Sequence, residues 1–313
     1  MRDDVVGWLL KAPRETPECA DVAAWWPRHR ETAAVWRNPM DRAIVGGFSA
    51  DRLGWAFASG YQAALHALFP EVPEDRIAAL CVTEADGNSP KAIKSALRRE
   101  GNEWILNGAK RWTTLGSEGA LFFVAARDAT ASGERAVIRV VRVASDAPGV
   151  TAQAMPATRF VPEVPHAQLR FDDVRVPAGA LLRGDGYADY VKRFRTVEDL
   201  HVNAAVLGYL VREARRLAWP AQWIEQALAL LEALRALAAE DCGTPAAHIA
   251  LAGALAWNAG LIAQTEAHWS EAGDEPARKR WVRDKELLGV AAGARAQRTA
   301  RAWERLRPTS PPA

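Results

Sequence analysis

At 313 residues, with 49% hydrophobic and 25% charged side chains, the chain has the length of two or three modest domains and the composition of a globular protein, which excludes collagenous, low-complexity and largely disordered classes. Forty Lys and Arg against 38 Asp and Glu leave a formal net charge of +2, so the overall balance gives no reason to expect nucleic acid or anionic lipid as the main partner. Cys19, Cys81 and Cys242 lie far apart with no CxxC pair, which argues against a disulfide framework or a cysteine zinc site and for a reducing compartment.

In chain order, the helical period dominates to about residue 77 and is clearest where Leu53, Phe57, Tyr61, Leu65 and Leu68 recur every three or four residues. The first residues carry acids and too short an apolar run for a signal peptide, which places the protein in the cytoplasm. From 78 to 183 the pattern changes to short runs rich in Val, Phe and Ile, at 80–83, 120–125 and 136–143. Between them, Asn107-Gly108 separates two strand-like arms and predicts a hairpin.

After Gly184-Asp185-Gly186 the helical period returns. Tyr187, Tyr190, Phe194, Val197, His201, Ala204, Gly208 and Val211 form one stripe that runs to Trp219-Pro220. Pro220, Pro245 and Pro276 are placed to open three more helices, and Gly243 ends the first of these. Residues 245–265 carry no formal charge but are rich in Ala and Gly around His248 and Asn258, the pattern of a bundle helix rather than a membrane span. The Pro-rich stretch 308–313 reads as a loose terminus. The predicted fold is therefore a multidomain α+β chain: a short N-terminal helical domain (1–77), a middle β-barrel-like domain (78–183) and a C-terminal four-helix bundle (184–313).

The residues themselves carry a resemblance. Cys81-Val82-Thr83-Glu84, then Asn88-Ser89, then the run from Leu106 to Thr114, and finally Phe171-Asp172-Asp173-Val174-Arg175-Val176-Pro177 before Gly184 and Gly186, resemble the middle domain of the flavin-dependent acyl-CoA dehydrogenases. The likeness runs from about residue 50 to 215, with Arg283-Asp284 as a weaker match further on. It implies FAD as cofactor, held by Val82, Thr83, Ser89, Trp112, Thr113 and Thr114. Ser89 and His201 would also reach the substrate. On residue types alone, Trp112 and Val82 read rather as β-core packing and Thr83 and Thr114 as ordinary strand residues, and the joint motif match reverses that reading.

The resemblance implies α,β-dehydrogenation of an acyl thioester, which needs a carboxylate base in a dry pocket. The family's usual glutamate, in a Glu-Gly-Thr stretch after the Arg-Asp pair, corresponds to Ala292 here. A second family arrangement draws the base from the long helix, ten residues before a glycine, and counting back from Gly208 gives Glu198. An alternative reading stays open, in which Thr196 caps a helix and Glu198 and Asp199 merely favour its positive end.

Several family features are missing. Arg215-Arg216 lead directly into the next helix where an Arg and a Phe-Gly loop are expected, Asp199 stands where an arginine is common, and the N-terminal helical region is short. Arg295, Arg298 and Arg301 are read either as partners for a pyrophosphate or as a solvated, ion-paired face. Two functions follow. The first is an FAD-dependent oxidoreductase acting on an acyl thioester, passing electrons to an electron-transfer flavoprotein, with no nucleic acid or membrane partner and assembled as a homodimer or homotetramer. The second is a catalytically inactive homologue serving as a binding or companion subunit.

Overall fold

Side chains and prolines at the helix entrances set the local structure of the first segment. The computed structural model describes residues 4–132 and 136–307, so the terminal stretch 308–313 lies outside the described residues. Asp4 and Asp21 cap helices α1 (Val5–Lys11) and α2 (Val22–Ala33) by accepting from the Gly7 and Ala24 amides, and Asn38 with Pro39 opens α3 (Pro39–Phe48). Helix α4 (Leu53–Leu68) carries the apolar stripe read from the sequence and is buried almost throughout.

Seven strands follow: β1 (Ala78–Cys81), β2 (Ala96–Glu100), β3 (Glu103–Thr114), β4 (Leu121–Asp128), β5 (Ile138–Ala144), β6 (Val150–Ala154) and β7 (His166–Pro177). They form one curled sheet in which β5 flanks β4, β1 and β2 both run parallel along the other edge of β4, and β3, β7 and β6 continue antiparallel. Both faces of β4 are buried. Phe123 and Ala125 join the core shared with the helices, while Phe122, Val124 and Ala126 fill a second core on the opposite side of the sheet.

The Asn107-Gly108 pair does not form the predicted hairpin. It lies inside β3, where the register with β7 shifts between Leu106 and Gly108 and Gly108 takes φ +143°. A Cβ there would come within 2.3 Å of Ser95 Oγ, so the glycine permits a close crossing and the pair marks a bulge. Asn107 also bonds the Asp173 amide and carboxylate across to β7, each at 2.9 Å. The turn is instead the two residues Gly101-Asn102 between β2 and β3, with Gly101 at φ +61°.

The tail begins with a π-helical entry at Gly186–Lys192, capped by the Asp185 carboxylate, and continues without a break into α5 (Arg193–Arg216). No cap interrupts it at Thr196. Helices α6 (Ala221–Ala239) and α7 (Pro245–Ala272) start where Pro220 and Pro245 place them. The helix expected after Pro276 divides in two, α8 (Glu275–Asp284) and α9 (Ala292–Leu306), around a 3-10 turn at Lys285–Gly289. Two contacts stabilise the break: the Asp284 carboxylate accepts the Val161 amide at 2.8 Å, and Arg295 donates to the Leu288 carbonyl at 2.8 Å. The tail described here thus holds five α-helices.

Helices α3 and α4 pack along α5 through glycines. A Cβ on Gly47 would come within 1.9 Å of the Ala205 carbonyl oxygen, and one on Gly208 within 2.3 Å of the Ile44 oxygen. Helix α7 is long and apolar enough to cross a membrane by length and composition. It buries one stripe, His248, Leu251, Ala254, Asn258, Leu261, Thr265 and Trp269, against the bundle.

Candidate functional site

Two adjoining cavities open where α5, the sheet and the 285–295 segment meet. The first, of about 270 Å³, is lined mainly by Phe57, Phe160, Val161, Val202, Leu287 and Leu288, with Thr114, His166 and Glu198 among its polar groups. The second, of about 370 Å³, shares Glu198, Asp199, Val290, Ala291 and Arg295 with the first and is bordered by Lys192, Arg195, Arg298, Arg301 and Arg305. An apolar chamber therefore leads into a strongly basic one, and the basic one has the size of the smaller small-molecule sites.

Glu198 stands at their junction. Protein crowding around its carboxyl pushes its pKa up to about 7, with the Asp199 charge adding to the effect and Arg295 and Arg195 opposing it. Asp199, the next residue, is buried and clamps α9: Arg295 reaches one of its oxygens at 2.8 Å and Arg298 the other at 2.7 Å. An aspartate thus stands where an arginine is expected, and two arginines of α9 meet it. Arg301 lines the basic cavity, whereas Arg295 and Arg298 are committed to this clamp.

Strand β3 delivers Thr114 by an irregularity. Its register with β7 shifts a second time between Lys110 and Thr113, and Trp112 within the shift has φ +56°. That conformation costs on the order of 1–3 kcal/mol for a non-glycine residue. It turns the indole outward, 47% exposed, in a T-shaped pair with His166 at 6.1 Å between ring centroids. Trp112 is therefore not a core residue. Below it, Lys110 is fully buried and pairs with Glu84 at 2.6 Å, while Glu84 also accepts the amides of Lys94 and Ser95. This pair fixes the loop that carries Asn88 and Ser89 beside the strand.

The residues singled out from the sequence separate into two groups. Glu198 and Thr114 line the apolar cavity together, and Asn88 borders the basic one. Val82, Thr83, Ser89, Trp112, Thr113 and His201 do not line these two cavities. Val82 packs against the core, Ser89 caps its own turn by accepting the Ala92 amide, and Thr113 is buried. His201 is buried with Nδ1 at 2.7 Å from the Val197 carbonyl, and burial lowers its pKa to about 4. The histidine in the cavity is His166, which the sequence search passed over. The base position read as Ala292 is exposed, and its neighbour Ala291 forms the cavity wall.

The acyl-CoA dehydrogenase middle-domain family matches residues 79–174. The middle β domain of the chain is thus similar to the middle domain of the acyl-CoA dehydrogenases. Among curated proteins, 3-sulfinopropanoyl-CoA desulfinase of Paraburkholderia xenovorans is 35% identical over 99 residues, which cover 31% of this chain and 25% of the relative. Benzylmalonyl-CoA dehydrogenase of Aromatoleum aromaticum is 30% identical over 121 residues, 37% of this chain and 31% of the relative. The matched stretch is thus about a quarter to a third of those proteins. Solved acyl-CoA dehydrogenase structures extend the likeness of fold further. Glutaryl-CoA dehydrogenase from Mycobacterium smegmatis superposes with TM-score 0.67 at 17% identity over 98% of this chain and 94% of its own. Butyryl-CoA dehydrogenase from Megasphaera elsdenii gives 0.66 at 16% over 84% and 81%.

Proposed function

We propose that the chain is an FAD-dependent oxidoreductase that removes the proton beside the carbonyl of an acyl thioester, with Glu198 as the base. The observation that carries this reading is a carboxyl with pKa about 7 at the mouth of an apolar cavity that Thr114 shares. A base tuned to the working pH is half ionised there and strong enough to take a weakly acidic C–H proton once water is excluded. Phe57, Phe160, Val202 and Leu288 keep the chamber apolar, and the acyl group would lie among them.

The residues fit a flavin at its ring end. Thr114 offers a hydroxyl on the cavity wall, exposed Trp112 offers a flat face at a strained bulge, and Val82, Thr83, Ser89 and Thr113 border the same strands and loop. When bound, FAD supplies the acceptor for the hydride that leaves the β-carbon. The basic cavity suits the phosphates of a thioester carrier such as coenzyme A, with Lys192, Arg195, Arg301 and Arg305 as donors. Electrons would pass on to an electron-transfer flavoprotein, and the assembly is read as a homodimer or homotetramer.

One observation favours the second reading, a non-catalytic companion subunit. Arg215 donates to the Leu9 and Ala12 carbonyls, and Arg216 pairs with Glu213 and Asp274. Neither arginine is thereby left for the distal half of FAD. The visible spectrum of the purified protein decides between the two. A yellow protein that releases FAD on denaturation supports the enzyme, and a colourless one that takes up no added FAD leaves only the companion role.

A further inference from the structure

His166 lines the apolar cavity without a part in the proposed reaction, and its surroundings give it a task. It opens β7 directly opposite Thr114 of β3, and its Nε2 lies 3.4 Å from Thr114 Oγ1. The Val164 backbone beside the ring raises its proton affinity, as a carbonyl that accepts a ring N–H does. Burial outweighs this and lowers the affinity, so the ring is neutral and carries a single N–H. With an N–H on Val164, Nε2 is left as an acceptor facing the Thr114 hydroxyl 3.4 Å away. The Trp112 indole stands across the ring at 68°. The remaining polar groups of this cavity, Thr158, Glu198, Asp199 and Arg295, belong to other segments.

We propose that His166 is a positioning residue that takes the Thr114 hydroxyl proton, so that Thr114 presents oxygen lone pairs to the cavity and favours a ligand whose ring edge carries an N–H. Given the flavin reading on which this rests, the central-ring nitrogen would carry such an N–H in the reduced cofactor and would be bare in the oxidised one. A hydroxyl free to rotate would serve both forms equally. A hydroxyl held by His166 favours the reduced form and so makes the bound flavin a better electron acceptor.

The test has two arms. In cofactor-free protein labelled with 15N-histidine, long-range proton–nitrogen correlations should show a neutral His166 ring protonated at Nδ1 at neutral pH. A ring protonated at Nε2, or at both nitrogens, overturns the proposal whether or not flavin binds. In the second arm, wild type and His166→Phe are titrated with oxidised FAD and, anaerobically, with reduced FAD. The ratio of reduced to oxidised Kd is expected to rise about tenfold in the variant, equivalent to a two-electron potential lower by ~30 mV. His166→Gln, which keeps an acceptor oxygen, should restore the wild-type ratio. In a Thr114→Val background His166→Phe should change nothing. An unchanged ratio in His166→Phe, or an equal shift in the Thr114→Val background, overturns the proposal. Wild type that takes up neither form of FAD sinks the flavin reading itself, and the nitrogen spectrum then decides the hydroxyl's direction alone.

Discussion

Glu198 sets the pH behaviour. Its folded-state pKa of about 7 lies above the ordinary carboxylate range. The folded chain therefore binds a proton that the unfolded chain has lost between about pH 4.5 and 7, and stability falls as pH rises through that window. Glu198→Gln removes the penalty, so the variant should be more stable than wild type at pH 8 by up to about 3 kcal/mol and indistinguishable from it near pH 4, read from urea midpoints at both values. If the base role holds, the same variant loses turnover by a factor of at least about 10² on an accepted thioester, while wild-type kcat rises through pH 7. The side chain was legible because it lies a fixed count before Gly208 on a helix whose period never breaks. His166 was not. Histidine spacing along the chain says nothing about two strands, and only the β3–β7 register sets the ring against Thr114.

At the level of elements, sequence cues located the helix starts and missed the irregularities of the sheet. Pro220, Pro245 and Pro276 act on the backbone beside them, so their meaning is local. The Asn-Gly pair carries the same local signal for a turn, but β7 pairs with both arms and turns it into a bulge; long-range pairing overrode the local preference. The glycines at helix crossings were equally silent, since a glycine in a helical pattern reveals nothing of what passes beside it. Their role can be tested directly. Gly47→Ala drives a methyl into the Ala205 carbonyl and should destabilise the fold by about 1–3 kcal/mol in chemical denaturation, against the small gain alanine gives in an exposed helix. Lys110→Ala strands the Glu84 carboxylate beside the sheet and should cost about 3–5 kcal/mol, read the same way.

Taken as a whole, the molecule is held together by contacts far apart in the chain. The Asp199 clamp joins α5 to α9 and, through Arg295 and Leu288, fixes the wall that faces Glu198. Asp199→Asn should raise amide hydrogen exchange across 285–306 while leaving the sheet protected, as mass spectrometry of peptides would record. The three-part order of helices, strands and helices was readable because each part has its own period. That the first and last parts share one core was not, because the contacts joining α3 and α4 to α5 leave no mark on the period of either. This shared core has a consequence for biosynthesis. When the opening helices leave the ribosome, the partner that covers their apolar faces has not yet been translated, and the whole sheet must emerge first. The nascent N-terminal segment is thus a substrate for a holding chaperone, and a pause in translation before α5 should cost more soluble yield than one placed after it.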